Sequence, residues 1–210
     1  MNATTFNRLH ALRMSNDDAG YAMAEMKPRF DRLAGRHENG AAPRAVSAFQ
    51  LFQTPADIAK RLVEAAGVSG GRVLEPSAGL GRILNALKPA GCSEVVAVEM
   101  APQCAGELFR QNREGVKILQ RDFLTVTPEE TGLFDWIVMN PPFHLRADIR
   151  HIIHARQFLK PGATLAALCF NTQSRFQALN EIASTWEELP AGAFGKEGTG
   201  VSTVLLTIKN

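Results

Sequence analysis

Cysteine is scarce in this chain: 210 residues hold only Cys92, Cys104 and Cys169. They are widely spaced, odd in number and form no close pair, which excludes a disulfide framework and a zinc-type ligand set. A reducing cytoplasm is the compartment that fits. No apolar run reaches the roughly 20 residues that a bilayer crossing needs, so no membrane partner is expected. The opening Met1-Asn2-Ala3-Thr4-Thr5-Phe6 lacks the basic head and apolar stretch of a secretory leader. An excess of one charge is missing too. The formal net charge is +2, too small to imply a nucleic-acid partner by itself. No internal repeat is found. His151 and His154 stand at i and i+3 but have no third ligand in view, so no metal is expected.

What is present is ordinary for a globular protein: 45% hydrophobic and 21% charged residues. The length suits one domain with an accessory segment. Residues 1 to 45 differ from the rest. They carry Lys27, Arg29, Arg32, Arg36 and Arg44 with few β-branched residues. A helix over Ala19 to Leu33 and a linker over His37 to Pro43 are expected there, making an N-terminal arm that is partly helical or flexible. Such an arm either packs or is mobile, or it touches substrate.

From Val46 the pattern becomes α/β. Thr54-Pro55 reads as a helix start, with Thr54 at the N-cap and Pro55 at the first helical position. Ile58, Ala59, Leu62, Val63 and Ala66 then follow a helical spacing. Strands are expected over Arg72–Glu75, Glu94–Glu99, Val116–Leu119, Phe134–Met139 and Ala163–Phe170. Helices are expected over Arg82–Leu87, Pro102–Asn112 and Asp148–Leu159. This alternation calls for a mostly parallel sheet covered on both faces. The chain ends differently: Trp186–Leu189, a glycine-rich loop and Val201–Ile208 have no helix between them, which predicts an antiparallel hairpin. Residues 46 to 210 form the expected catalytic domain.

Two segments carry the chemistry. In an open parallel sheet, ligands sit beyond the carboxyl ends of the strands. The first segment, Glu75-Pro76-Ser77-Ala78-Gly79-Leu80-Gly81, lies at such an end. Gly79 and Gly81 permit a tight turn and close approach to a ligand. Arg82, Ile83 and Leu84 depart from the full G-x-G-x-x-G, which disfavours a pyrophosphate. Glu75 would repel a phosphate but suits the ammonium group of a methionine moiety. Glu99, at the end of the second strand, is placed to accept from ribose hydroxyls. Asp122, after the third, can accept from an adenine amino group while Phe123 packs on the ring. Each acid alone would pass as a helix cap or a surface residue. Three at successive strand ends beside a glycine loop point to S-adenosylmethionine (SAM).

The second segment is Asn140-Pro141-Pro142-Phe143. An exocyclic amino group on a base is a poor nucleophile, because its lone pair is delocalised into the ring. The Asn140 side-chain oxygen and the Pro141 carbonyl can accept its two N–H hydrogens, favour the charge that develops on nitrogen and aim the lone pair. Prolines stiffen the loop, and Phe143 can stack on the base. The bland alternative is a rigid turn. His144, Arg146, Arg150, His151, His154 and Arg156 follow, either as phosphate contacts or as a solvated helix face.

On these residues the chain resembles class I SAM-dependent methyltransferases, with their Rossmann-like fold. More narrowly it looks like the amino-methyltransferases that modify adenine N6 in DNA. The family's F-x-T-P, E-P-x-x-G-x-G and N-P-P-[FY] boxes stand here, in order, at Phe52-Gln53-Thr54-Pro55, Glu75 to Gly81 and Asn140 to Phe143. The resemblance covers about Phe49 to Ile208. It implies a seven-stranded sheet of order 3-2-1-4-5-7-6. It also implies that Phe52, Gln53 and Thr54 close over the methionine part of SAM, that Ser77 lines the loop, that Met100 touches the adenine and that Pro142 sits near the methyl. Duplex-specific members usually carry a separate recognition domain. This chain has no room for one, so loose specificity or a separate specificity subunit is expected. His144 after the box also resembles the N-P-P-F-H of some ribosomal RNA guanine-N2 methyltransferases. DNA is the expected partner from the three boxes, and His144 makes RNA the runner-up. A protein glutamine methyltransferase shares a similar box, and a silent SAM-binding or nucleic-acid-binding protein remains a different class.

Overall fold

Apolar β-branched runs form the strands, and each strand sends successive side chains to opposite faces. Val73 packs on one side of the sheet and Leu74 on the other; Val138 and Ile137 divide in the same way. The structure, a computed structural model, describes residues 53–190, 192–194 and 202–210. Phe52 and the expected arm over residues 1 to 45 lie outside the described residues.

The strands are β1 (Arg72–Glu75), β2 (Glu94–Val98), β3 (Val116–Leu119), β4 (Phe134–Met139), β5 (Leu159–Phe170), β6 (Thr185–Glu188) and β7 (Thr203–Lys209). They form one seven-stranded sheet of order β3-β2-β1-β4-β5-β7-β6, as expected. The first five strands pair in parallel, and β7 runs antiparallel to both β5 and β6. The parallel strands therefore end along one edge, where the loops after β1, β2, β3 and β4 converge.

Helices α1 (Ala56–Ala66), α2 (Arg82–Leu87), α3 (Pro102–Gln111), α4 (Pro128–Thr131), α5 (Ala147–Ala155) and α6 (Gln173–Leu179) connect and flank the strands. Ile58, Leu62, Ile83, Leu84 and Leu108 fill one face of the sheet; Phe123, Ile149, Ile152 and Phe158 fill the other.

Three local expectations are corrected. Helix α1 spans Ala56–Ala66, but Pro55 rather than Thr54 holds the cap position, with φ −54° and ψ 147°, and its carbonyl accepts from Ala59. Thr54 is thus outside the helix, and its side chain has another use, described below. The helix expected to run to Leu159 ends at Ala155 and tightens into a 3-10 turn over Arg156–Phe158. Strand β5 begins at Leu159 rather than Ala163, because Pro161-Gly162 is absorbed as an irregularity. Gly162 takes φ +77°, and the register against β4 shifts between Phe134 and Trp136.

Candidate active site

A cavity of about 830 Å³ opens at the carboxyl ends of β1 to β4, within the roughly 300–1,000 Å³ of small-molecule sites. Glu75 closes its floor at the last position of β1. Its side chain is 1% exposed, and Oε2 has no hydrogen-bond partner among the described residues. Burial pushes this carboxyl well above the ordinary carboxylate range; Arg113 opposes the shift and Glu99 adds to it. Ser77 also lines the cavity with an enclosed, unpartnered Oγ. A buried polar atom without a partner costs about 1–3 kcal/mol. An ammonium group from a ligand would remove that cost at Glu75.

Glu99 follows β2 and ties the loops together. Its Oε2 accepts from the Gly79 amide at 2.7 Å and its Oε1 from the Ala101 amide at 2.7 Å. A carboxylate has about four lone-pair sites, so ribose hydroxyls can still be accepted. Gly79 stands at φ +53° to make this approach. Gly81 does not line the cavity. It precedes α2 at φ +79°, and a Cβ there would lie 2.9 Å from Leu108 Cδ2. There it turns the backbone and packs closely against Leu108 of α3.

At the far end, Asp122 is exposed and its side chain accepts from the Leu124 amide at 3.0 Å, capping a short 3-10 turn. Phe123 is 2% exposed and forms a wall, its ring 5.8 Å from that of His151 and 4.9 Å from that of His154. Met100 is exposed at the mouth. Gln53 lines the near side and accepts from Arg82 Nε at 3.0 Å.

Asn140, Pro141 and Pro142 all line the cavity beyond β4. The Asn140 Nδ2 donates to Thr54 Oγ1 at 3.0 Å. Phe143 does not line the cavity. Its ring is 5% exposed and stacks on Phe170, with centroids 4.2 Å apart and planes at 16°. The stacking on a base expected of it is replaced by packing beneath the loop. Leu145 and Arg146 follow at φ +49° and +59°, a conformation costing residues with a side chain about 1–3 kcal/mol each. Leu145 is 78% exposed at the cavity rim, beside the exposed His144 and Arg150.

The cluster after the box thus divides. Arg146 and Arg150 are exposed, whereas His151 is buried and lines the cavity. His154 Nε2 carries its proton to the Val126 carbonyl at 3.0 Å. Among the described residues no group of three His, Cys, Asp or Glu is placed to hold a metal. The burial of three residues here was not expected: His151 (read as a phosphate contact or solvated), Asp148 and Arg175. For the first two a signal existed, since Asp148, His151, Ile152 and Ala155 share one face at helical spacing. For Arg175 there was none.

The chain matches the model of the methyltransferase small domain family over residues 56–193. A comparison with curated protein sequences finds no match. Among solved structures, TrmN from Thermus thermophilus is similar, with TM-score 0.62 and 22% identity over 78% of this chain and 51% of that one; this chain spans about half its length. An RNA methyltransferase from Salinibacter ruber, in complex with S-adenosylhomocysteine, superimposes with TM-score 0.54 and 18% identity over 75% of this chain and 92% of that one. The tRNA m1G37 methyltransferase of M. jannaschii does so with TM-score 0.54 and 12% identity over 72% and 48%. At these identities the likeness is one of fold. No described helix is long and apolar enough to cross a membrane.

Proposed function

We propose, from the premise that the chain belongs to the methyltransferase small domain family and is a SAM-dependent methyltransferase, that it methylates an exocyclic amino group of a nucleobase. The observation that carries this reading is Asn140. It lines the cavity at the end of β4, and its nitrogen end is committed to Thr54 Oγ1. The carboxamide oxygen is then the atom for accepting an N–H of the target. With the Pro141 carbonyl it draws both hydrogens of the amino group away from the lone pair. The proton leaves the cationic product after transfer, so no side chain of raised pKa has to remove it beforehand.

SAM supplies an electrophilic methyl on a sulfonium. The residues fit its other parts. Glu75 and Ser77 offer unpartnered polar atoms to the methionine end. Glu99 suits the ribose. Asp122, Phe123 and Met100 border the space for the adenine, and Gln53 and Thr54 flank the methionine side, with Pro142 near the methyl.

Adenine N6 in DNA is the favoured target, from the order of the three boxes. Flanking sequence should matter little unless a separate subunit supplies specificity, and binding should weaken steeply with salt. A second reading, an RNA base, is favoured by His144 at the cavity and by the RNA methyltransferase from Salinibacter ruber among similar folds. Mass spectrometry of nucleosides, after incubating DNA and RNA separately with labelled SAM, tests both. N6-methyladenine in DNA is expected. Label in RNA N2-methylguanine or N6-methyladenine, with none in DNA, selects the second reading. Label confined to protein glutamine sinks the nucleobase assignment.

A further inference from the structure

The buried Arg175 on α6 has no place in the chemistry above, yet every nitrogen of its guanidinium is used. Nε donates to Asp148 Oδ2 at 2.7 Å, Nη2 to the Phe143 carbonyl at 3.2 Å and Nη1 to Thr172 Oγ1 at 3.4 Å. Its Cζ lies 5.2 Å from the centre of the Phe170 ring, which is the ring that Phe143 stacks on. Asp148 is in the first turn of α5 and fully buried; Arg175 is 8% exposed.

Phe143 and Asp148 are the two ends of the strained turn. Between them stand Leu145 and Arg146, both left-handed and neither a glycine. Such a conformation persists only where the surroundings over-determine it. Leu145 cannot hold itself in place by burial, because it is 78% exposed, and Arg146 is exposed as well. The restraint has to come from the ends, and Arg175 touches both.

We propose that Arg175 is a positioning residue that clasps residues 143 to 148 from behind and so holds the Asn140-Pro141-Pro142 segment against the cavity. The consequence for catalysis rests on the reading of Asn140 given above. A purely stabilising role explains the arrangement less well. A buried ion pair is weak evidence for stability, and Asp148 Oδ1 has no hydrogen-bond partner among the described residues. A pair kept for stability alone would be served by apolar side chains of similar volume.

That difference gives the test. The double variant Asp148→Leu/Arg175→Met removes both charges together and fills the site with apolar side chains, so its melting temperature should stay near that of the wild type. Arg175→Lys keeps a charge for Asp148 but cannot span both anchors, and it serves if the double variant folds poorly. SAM affinity should be unchanged in both. Amide exchange over residues 143 to 147, read by mass spectrometry, should quicken about tenfold or more as the loop opens locally. Methyl transfer from labelled SAM to heat-denatured DNA or total RNA should fall by about 10²-fold, the effect of misplacing a reacting group. Unchanged exchange in both variants overturns the clasp, whatever the substrate. Quickened exchange supports it even where neither polymer is methylated. Quickened exchange with full methyl transfer keeps the clasp and overturns the role given to Asn140.

Discussion

The side chain of Asn140 donates from Nδ2 to Thr54 Oγ1 at 3.0 Å, joining positions 86 residues apart in the chain. Thr54 is 5% exposed and lies just ahead of α1, so its hydroxyl sits at the wall of the cavity rather than at a helix cap. The bond decides which end of the carboxamide is the acceptor.

Thr54→Val removes that acceptor at nearly constant shape. Asn140 can then reverse its amide and present a donor to the target amino group. A neutral hydrogen bond is worth about 0.5–1.5 kcal/mol, so turnover should fall by roughly tenfold while SAM affinity holds. Asn140→Ala should fall further, on the order of 10²–10³ in rate, again with SAM binding nearly intact. Single-turnover methylation and calorimetry measure the two effects. Wild-type rates in either variant would remove Asn140 from the chemistry.

Glu75→Gln should stabilise the free protein and weaken SAM binding. The folded carboxyl titrates well above its ordinary range because it is buried. The unfolded chain therefore releases this proton first as pH rises, and the folded state loses stability through that window. Glutamine carries no such burden, so the gain in melting temperature should be present at neutral pH and vanish toward pH 4. An ammonium–carboxylate contact is worth about 1.5–3 kcal/mol, so SAM affinity should drop by at least about tenfold. A variant that binds SAM as well as the wild type would detach Glu75 from the methionine end.

His151 should stay neutral down to low pH. Burial leads in lowering its pKa to about 4; Asp122 opposes this, Arg150 and His154 assist it, and Asp148 opposes it weakly. An unfolded histidine titrates near 6.5. Between those values the unfolded chain binds the proton and the folded chain does not. Stability is therefore full above about pH 6.5 and falls as pH drops toward 4, by up to about 1.4 kcal/mol per pH unit. Denaturant unfolding across this range should show a slope one proton smaller in His151→Phe. Superimposable slopes would show that the ring is charged in the fold.

The sheet was legible because its information is local. Alternating apolar segments such as Val73-Leu74 and Ile137-Val138 report burial on both faces wherever they occur, and glycine at 79 and 81 reports a turn. The glycine loop and the acids at 75, 99 and 122 are each adjacent to a strand end, so the parallel topology brings them together without further instruction. Asn140-Pro141-Pro142 likewise follows a strand directly, and the same topology sets it at the cavity. What tertiary structure alone decided depends on partners distant in the chain. Glu99 holds Gly79 across the crevice, and Thr54 leaves its expected cap to orient Asn140. Phe143, an aromatic in the right motif, turns under the loop and stacks on the distant Phe170. Arg175 joins Asp148 to the Phe143 carbonyl from helix α6, 27 and 32 residues further along the chain. No periodicity encodes such a bond, since a long side chain reaches whatever the fold sets within a few ångströms of it.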